Sequence, residues 1–471
     1  MIRRASVLGS GCLAGLCLAA ALPAPAQQGD GPPPGGPLLT FGIGITASAT
    51  DNYNLDPNRS EDTALLDTRL SAGYRHDRGI DSFRFDAAGL LRADTPPGVD
   101  NTFDDRSLSL GYDRRGTDTT LSFGADYSLT SVNDRDPFDR DFEDDPLEES
   151  DLIFDRGDEE RLGARFRIET GLNAPVGVVF TGRYRDRSFT DTTDPDLFNS
   201  ERLNLSATTR VTLDPVTEAR LVLDLTDYSA DDTENTDRTT SRVSLGFSRA
   251  LSRTDTLDLS LGVSRIETEE TLVPSGPRVS ETETGGIGSL ALNRELPRGS
   301  IGTSLEVDES ENGRTTTWLV NRQLPLPRGS LAVSAGVTLD VADELQPAGS
   351  LDLSREFARG TLTAALSQDV RTSDRGNELR TTRASLGYTH QINTLSSLSL
   401  SASHAELDRA GGPALNDTSR TNLRATYTHR ITRDWQLSSG YEHRIRDEDT
   451  VGTATSNRVF LTLQRSFTLR P

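Results

Sequence analysis

Ser456-Asn-Arg-Val-Phe-Leu-Thr-Leu-Gln-Arg-Ser-Phe-Thr-Leu-Arg-Pro471 closes the chain, and its alternation decides the fold. Val459, Leu461, Leu463, Arg465 and Phe467 share one phase; Phe460, Thr462, Gln464 and Ser466 share the other. One face is apolar and the other mostly polar, the period-2 pattern of a strand lying between lipid and water. An aromatic near the end of such a last strand is an assembly signal for an outer-membrane barrel. Phe467 is the residue expected to play that part, with the barrel-assembly machinery as its partner.

The other end of the chain agrees with that compartment. Met1-Ile-Arg-Arg is a basic n-region, Ser6 to Leu22 an apolar h-region, and Ala24-Pro25-Ala26 a small-x-small cleavage site, so residues 1–26 read as a signal peptide. The mature chain is expected to start at Gln27, with a disordered Gly/Pro-rich leader over 27–37 and the barrel over 38–471. Cys12 and Cys17 both lie in the leader peptide, and neither sits in a lipobox. The mature chain therefore has no disulfide or thiolate metal site.

Hydrophobic residues make up 34% of the chain, and no later run reaches the ~18 that a membrane helix needs. All 50 basic residues are arginine; the formal charge of −22 becomes −24 once Arg3 and Arg4 are removed. An acidic chain of this kind is a poor nucleic-acid binder.

Alternation recurs in about 22 segments of roughly 10–15 residues, with 18–24 strands as the range the pattern allows. Leu38–Thr50, Leu66–His76, Ser82–Ala93, Leu121–Leu129, Leu203–Leu213 and Trp435–Ile445 are examples, and no helical spacing interrupts them. Their connections alternate in length. Short ones include Arg78-Gly79, Asp214-Pro215, Pro297-Arg298-Gly299 and Thr432-Arg433-Asp434. Long polar ones include 51–62, 94–103, 133–158, 190–200, 230–238, 269–281 and 409–418. Short periplasmic turns and long, here acidic, extracellular loops mark an all-β, transmembrane, antiparallel up-and-down barrel. An even strand count leaves both termini in the periplasm.

On nine of the eleven strands descending to the short turns, the apolar phase ends in a basic residue: His76, Arg114, Arg249, Arg294, Arg322, Arg355, His390, His429 and Arg465. A cation there can reach lipid phosphates while a neighbouring ring sits in the interface, so these residues are expected to form a periplasmic girdle against outer-membrane lipid.

Chemistry-bearing patterns are sparse. His404 and His443 fall in the apolar phase near the opposite strand ends, and no Ser/His or Asp/His group is placed as an outer-membrane hydrolase would need. No metal spacing, phosphate-cradling glycine loop or cofactor motif is present, and the expectation is not an enzyme. One constellation stands out. The inward phase of the sixth to eighth strands carries Arg161, Arg165, Arg167, Arg183, Arg185, Arg187, Arg202 and Arg210, with Glu169 as the main counter-charge. Just before it, the longest connection carries Asp134, Asp136, Asp139, Asp141, Glu143, Asp144, Asp145, Glu148, Glu149, Asp151, Asp155 and Asp158. Folded inward, that loop would set carboxylates against the arginine arc across a narrowed lumen; folded outward, it would be a solvated loop.

Ala49-Thr-Asp-Asn-Tyr-Asn-Leu-Asp56, followed by Tyr74 and the turn Arg78-Gly79, resembles the opening of a family of outer-membrane β-barrel porins. The resemblance extends as a pattern over the mature chain and defines no catalytic residues. Some members accompany exopolysaccharide systems, which implies an export role and polysaccharide-export components as partners. The function expected is a channel for hydrophilic solutes, including anionic polysaccharide; a structural or adhesive surface barrel displaying acidic loops is the alternative. Nothing in the sequence sets the oligomeric state.

Overall fold

The computed structural model describes residues 36–58, 62–93, 103–135, 138, 147–271, 276–373, 375–409, 418–449 and 452–470. Its first strands are β1 (Pro37–Thr50), β2 (Thr63–Arg78), β3 (Asp81–Arg92), β4 (Phe103–Arg115), β5 (Thr119–Ser131), β6 (Asp158–Thr170) and β7 (Val176–Thr190). There follow β8 (Ser200–Asp214), β9 (Thr217–Ala230), β10 (Asp237–Ala250), β11 (Asp255–Thr271), β12 (Arg278–Glu295), β13 (Ser300–Ser310), β14 (Gly313–Leu326) and β15 (Gly329–Leu339). The ring is completed by β16 (Leu345–Phe357), β17 (Gly360–Thr372), β18 (Glu378–Gln391), β19 (Ser396–Arg409), β20 (Thr418–Arg430), β21 (Trp435–Glu448) and β22 (Ala454–Leu469). Each strand pairs antiparallel with its neighbours in sequence, and β1 pairs with β22, so 22 strands form one closed barrel with no free edge. Closure satisfies every strand's backbone within the sheet, the condition for crossing a membrane with strands.

Side-chain alternation sorts each strand into two faces. Phe41 and Ile45 on β1, Phe180 on β7, Leu261 and Val263 on β11, and Val459 and Leu461 on β22 are all exposed. That outer surface is an apolar band, which belongs in lipid rather than water. The inward phase is built from Ser, Thr, Gly and charged residues, as in Thr40, Gly42, Gly44, Thr46 and Ser48 of β1. No helix among the described residues is long and apolar enough to cross a membrane.

The short connections match the expected turns. Gly79 and Gly299 adopt φ of 60° and 77°, the left-handed region that tight hairpins need and that other residues resist. The length contrast is weaker than the sequence suggested in one part of the ring: only 311–312 separate β13 from β14 at the long-loop end. Regular alternation also runs further than expected at β11 and β12, which reach Thr271 and start at Arg278, inside the segment taken as loop 269–281. The first strand starts at Pro37, one residue earlier than expected. The proposed signal peptide and most of the 27–37 leader lie outside the described residues. The β5–β6 connection holds a 3-10 turn at Val132–Asp134 and a single helical turn, α1 (Glu149–Leu152), both too short to give helical spacing in the sequence.

Candidate functional site

The β5–β6 connection leaves the wall at Val132 and returns at Asp158, and its described residues Leu147–Leu152 rest on strands across the ring at the long-loop end. Four anchors built from its own residues hold this strap. Its middle, including Asp136, Asp139, Asp141, Glu143, Asp144 and Asp145, lies outside the described residues.

The first anchor is apolar. Leu147 and Leu152 are fully buried against Leu379 of β18 and Ala405 and Leu407 of β19, across the ring from β5 and β6. Leu386 and Leu400 face outward on those strands, so alternation turns Leu379, Ala405 and Leu407 inward. Beside this patch Arg371 of β17 donates to the Glu148 carboxylate at 2.9 Å and to the Leu147 carbonyl, while Asn377 donates to Glu149 at 3.1 Å.

The second anchor is a buried ion cluster at the strap's other end. Arg135 donates to the carbonyls of Val132 (3.1 Å), Ser150 (3.1 Å) and Ile153 (2.9 Å), and lies 3.4 Å from Glu159. Burial pulls the Arg135 guanidinium down to about 10, against the opposing pull of Glu159. Asp151 of α1 takes Arg187 at 2.6 Å and Arg161 at 3.3 Å, and Glu159 takes the same two arginines. Charges this deep are stable only when each has its partner, so the cluster ties the strap to one geometry.

A third anchor joins the strap to the start of the chain. Tyr53 donates its hydroxyl to Asp134 at 2.7 Å, and Arg92 reaches Asp67, Asp104 and Asp134 at 3.0, 3.2 and 3.3 Å. Burial would push the Asp134 carboxyl up, but the Arg92 guanidinium and the Tyr53 hydroxyl hold it below the usual carboxylate range. Burial, reinforced by Asp134, pushes the Tyr53 phenol well above its ordinary value. In the fourth anchor the guanidiniums of Arg420 and Arg446 lie over the Phe154 ring, 4.4 and 5.0 Å from its centre, and the ring packs on Leu55 and Ala454. Asp155 accepts from Asp194 N at 2.8 Å and from the Thr193 hydroxyl at 2.7 Å; these bonds outweigh burial and keep its carboxyl low. A cavity of about 610 Å³ lies between the strap, residues 52–57 and residues 193–195.

Below the strap, the eight arginines fall on the inward phase of three adjacent strands. Register puts Arg161 directly opposite Arg187, Arg185 opposite Arg202, and Arg165 opposite Arg183, in three successive rows. Arg167 heads a fourth row and lies 3.2 Å from Glu169. Arg202 stacks over Tyr228 at 5.0 Å. Arg210 sits apart near the short turns, donating to the Gly171 carbonyl at 3.3 Å. Two of the eight, Arg161 and Arg187, are thus engaged by carboxylates of the strap and its root.

All nine girdle residues lie within four positions of the short-turn ends of their strands. Rings stack beside three of them, Tyr74 with His76, Tyr388 with His390 and Tyr427 with His429, at interplanar angles of 10°, 25° and 6°. Arg355 lies 5.7 Å from the Phe357 ring; Arg465 lies 4.4 Å from Phe467 and 5.2 Å from Trp435. Arg294 pairs with Asp255 at 2.6 Å, Arg114 lies 3.9 Å from Asp81, and Arg322 donates to the carbonyls of Ser300 and Arg298. Phe467 lies on the outer face opposite Phe41 across the closing seam. At the other end, His404 and His443 bond Thr421 and Asn457, each at 2.9 Å, on the outer face.

No protein-family model matches the chain, and no characterised protein matches it in sequence. Solved structures do share its architecture. The ferric-catecholate import receptor Fiu of E. coli K12 superposes with a TM-score of 0.56 at 11% identity, over 90% of this chain and 81% of that one. The siderophore receptor PirA of Acinetobacter baumannii gives 0.54 at 8%, over 91% and 80%. BauA, the ferric preacinetobactin receptor of the same organism, gives 0.53 at 12%, over 92% and 80%. At such identities the likeness is one of fold, a closed 22-stranded barrel. The porin resemblance rests on the residues quoted for it.

Sequence reasoning passed over what those residues do. Asn52 donates to the carbonyls of Asp56 and Thr455, and Asp51 accepts from Asn457 N and Nδ2 at 2.7 and 2.6 Å. Leu55 is completely buried beneath Phe154 with φ of 49°, a conformation that costs a non-glycine residue about 1–2 kcal/mol. The Asp-Asn-Tyr-Asn-Leu stretch is a knot tying β1 to β22 and to the strap. The apolar cluster was missed too, although Leu147, Leu152 and Phe154 stand out in an otherwise acidic loop.

Proposed function

We propose that the protein is an outer-membrane channel for hydrophilic solutes whose outer mouth is narrowed by the 132–157 strap. The observation that carries this reading is the arginine-bearing, polar inner wall enclosed by an apolar outer face, with one loop folded across it. An adhesive or structural barrel gains nothing from charging its interior, since each inward arginine must be kept hydrated or paired. The neighbours named above include an import receptor and siderophore receptors, and they support transport through a barrel of this strand number. The arginine rows favour anionic solutes, with anionic polysaccharide leaving the cell as the proposed cargo and export components at the periplasmic end as partners. The nine-residue belt at the short-turn end serves as the lipid-phosphate girdle, and Phe467 as the assembly signal.

Single-channel recording in planar bilayers tests the reading. The purified barrel should conduct, and excising residues 133–157 should raise its unit conductance while heat-modifiable migration is retained. Silence of both proteins would refute the channel.

A further inference from the structure

We propose that the short-turn rim from β12 to β18 binds the headgroups of anionic phospholipids in the periplasmic leaflet and selects them over zwitterionic ones. The inference deepens the girdle reading and rests on it for placing these side chains at lipid phosphates; it does not depend on conduction.

Each short turn is tied to the next descending strand by a hydrogen bond to one of its carbonyls. In three successive turns that carbonyl belongs to an arginine. Arg298 O accepts from the Arg322 guanidinium at 2.9 Å, Arg328 O from the Glu356 amide at 2.8 Å, and Arg359 O from the Gln391 amide at 2.6 Å. These bonds seat the backbone of each turn arginine beside a girdle position: Arg322 itself, Arg355 or His390. At five other seams the carbonyl belongs to Ile80, Asp118, Pro175, Val216 or Leu395. At the remaining two it belongs to Thr254 and Asp434, and there an aspartate, Asp255 or Asp434, stands within two residues of the turn arginine. Cations doubled in this way are therefore confined to one arc.

Among the described residues Arg298, Arg328, Arg355 and Arg359 have no carboxylate within ion-pair distance, and all four are exposed. Glu295 and Glu356 stand next to Arg294 and Arg355 in sequence, so alternation turns them to the opposite, inner face. Guanidiniums rooted this close repel, and a phosphate between them replaces that repulsion with charge-assisted hydrogen bonds. The same rim carries exposed apolar side chains on its outward phase. Leu296 and Phe357 follow Arg294 and Arg355 by two residues, and Ile301 lies in register directly between Arg294 and Arg322. A soluble polyanion would leave those side chains in water, whereas a phospholipid covers them with its chain and brings its phosphate to the arginines. A zwitterionic headgroup also brings an ammonium against the same guanidiniums, so the site discriminates by net charge.

Native mass spectrometry of the barrel released from nanodiscs of equimolar phosphatidylglycerol and phosphatidylethanolamine tests this. The parent should retain phosphatidylglycerol over phosphatidylethanolamine by at least about fivefold, the discrimination expected of one arginine beside an anionic surface, and the excess should shrink as salt rises. R298Q/R328Q/R359Q should retain the two lipids equally, while R75Q/R78Q/R115Q, with the same loss of charge at the short-turn ends of β2 and β4, should keep the parental ratio. R328Q alone serves if the triple variant fails to assemble, with heat-modifiable migration as the criterion, and should lower the ratio. Equal retention of both lipids by the parent, or a parental ratio in the arc variant, overturns the site. Dextran sulfate binding that the arc variant loses, with no lipid preference in the parent, would assign the arc to a soluble polyanion and overturn the lipid reading. A barrel that retains neither lipid would sink the girdle itself; lipid retained without preference sinks this site alone.

Discussion

Replacing Leu152 with Ala should loosen the strap without loosening the barrel. Leu152 is fully buried, and its neighbours Leu379, Ala405 and Leu407 belong to strands whose ladders are complete without it. Truncation removes three carbons and leaves a cavity that rigid strands close poorly, a change that costs about 2–4 kcal/mol. The loss falls on the equilibrium between seated and released strap, because Leu152 makes these contacts only when seated. With 1.4 kcal/mol for each factor of ten, the released population should grow roughly 30- to 700-fold. Hydrogen exchange reads it directly. The Asp151 amide donates to Glu148 O at 3.0 Å and the Val132 amide to Gly157 O at 3.0 Å, so both are protected only while the strap is ordered. Both should exchange faster in the variant by that factor, while amides of β10 and β11 keep parental rates. A change below threefold at Asp151 would mean that the ion clusters alone seat the strap, and the apolar anchor would be refuted.

Three other outcomes follow from the same geometry. In a conducting barrel, R165E/R183E/R185E reverses six units of charge within a Debye length of about 8 Å, so reversal potentials in a salt gradient should move toward cation preference; an unchanged preference would place these side chains off the ion path. Phe467→Ala should lower the heat-modifiable fraction in outer membranes much more than Leu469→Ala, since Phe467 pairs with Phe41 under the Arg465 guanidinium whereas Leu469 pairs with Leu39 at the strand's end; equal yields would show that Phe467 is not the signal. Acid should release the strap: the Asp134 and Asp155 carboxyls are held low when seated, so their contribution is complete above the free-carboxyl range near 4 and is lost as pH falls through their lower seated values. The Asp194 carboxyl, raised first by burial and further by Asp196 and Asp155, opposes this in part. Strap exchange, corrected for intrinsic rates, should rise between pH 5 and 3, and Asp134→Asn with Asp155→Asn should flatten the rise.

The barrel was legible because every strand repeats the same two-residue rule, and errors in one segment are corrected by the next. Trp435–Ile445 and Leu38–Thr50 could be read alone; their pairing through β22 follows once closure is required. The arginine rows were legible for the same reason, since phase alone turns Arg165 and Arg183 inward. The seat of the strap was not. Leu147 and Leu379 are separated by more than two hundred residues, and alternation says which way Leu379 faces but not what comes to meet it. Glu149 and Asp151 gave no helical signal, because four residues make a single turn too short for periodicity to register.

The knot at Asp51–Leu55 adds an order to these events. Asp51 binds Asn457 across a sequence separation of 406 residues, and Tyr53 and Leu55 then present the surfaces on which Asp134 and Phe154 rest. Neither surface is complete before β1 meets β22, because Ala454 of β22 forms one wall of the Leu55 pocket and Arg444 of β21 donates to the Tyr53 carbonyl at 3.2 Å. The strap's seat is therefore a product of barrel closure, and the longest-range contact in the chain forms before the strap can gain from it. Asn457→Ala should expose the linkage. It removes the side-chain bonds of residue 457 to Asp51, Tyr441 and His443, and should raise exchange at Asp151 in the strap, a residue it does not touch. Parental exchange at Asp151 in that variant would show that seam and strap fold independently.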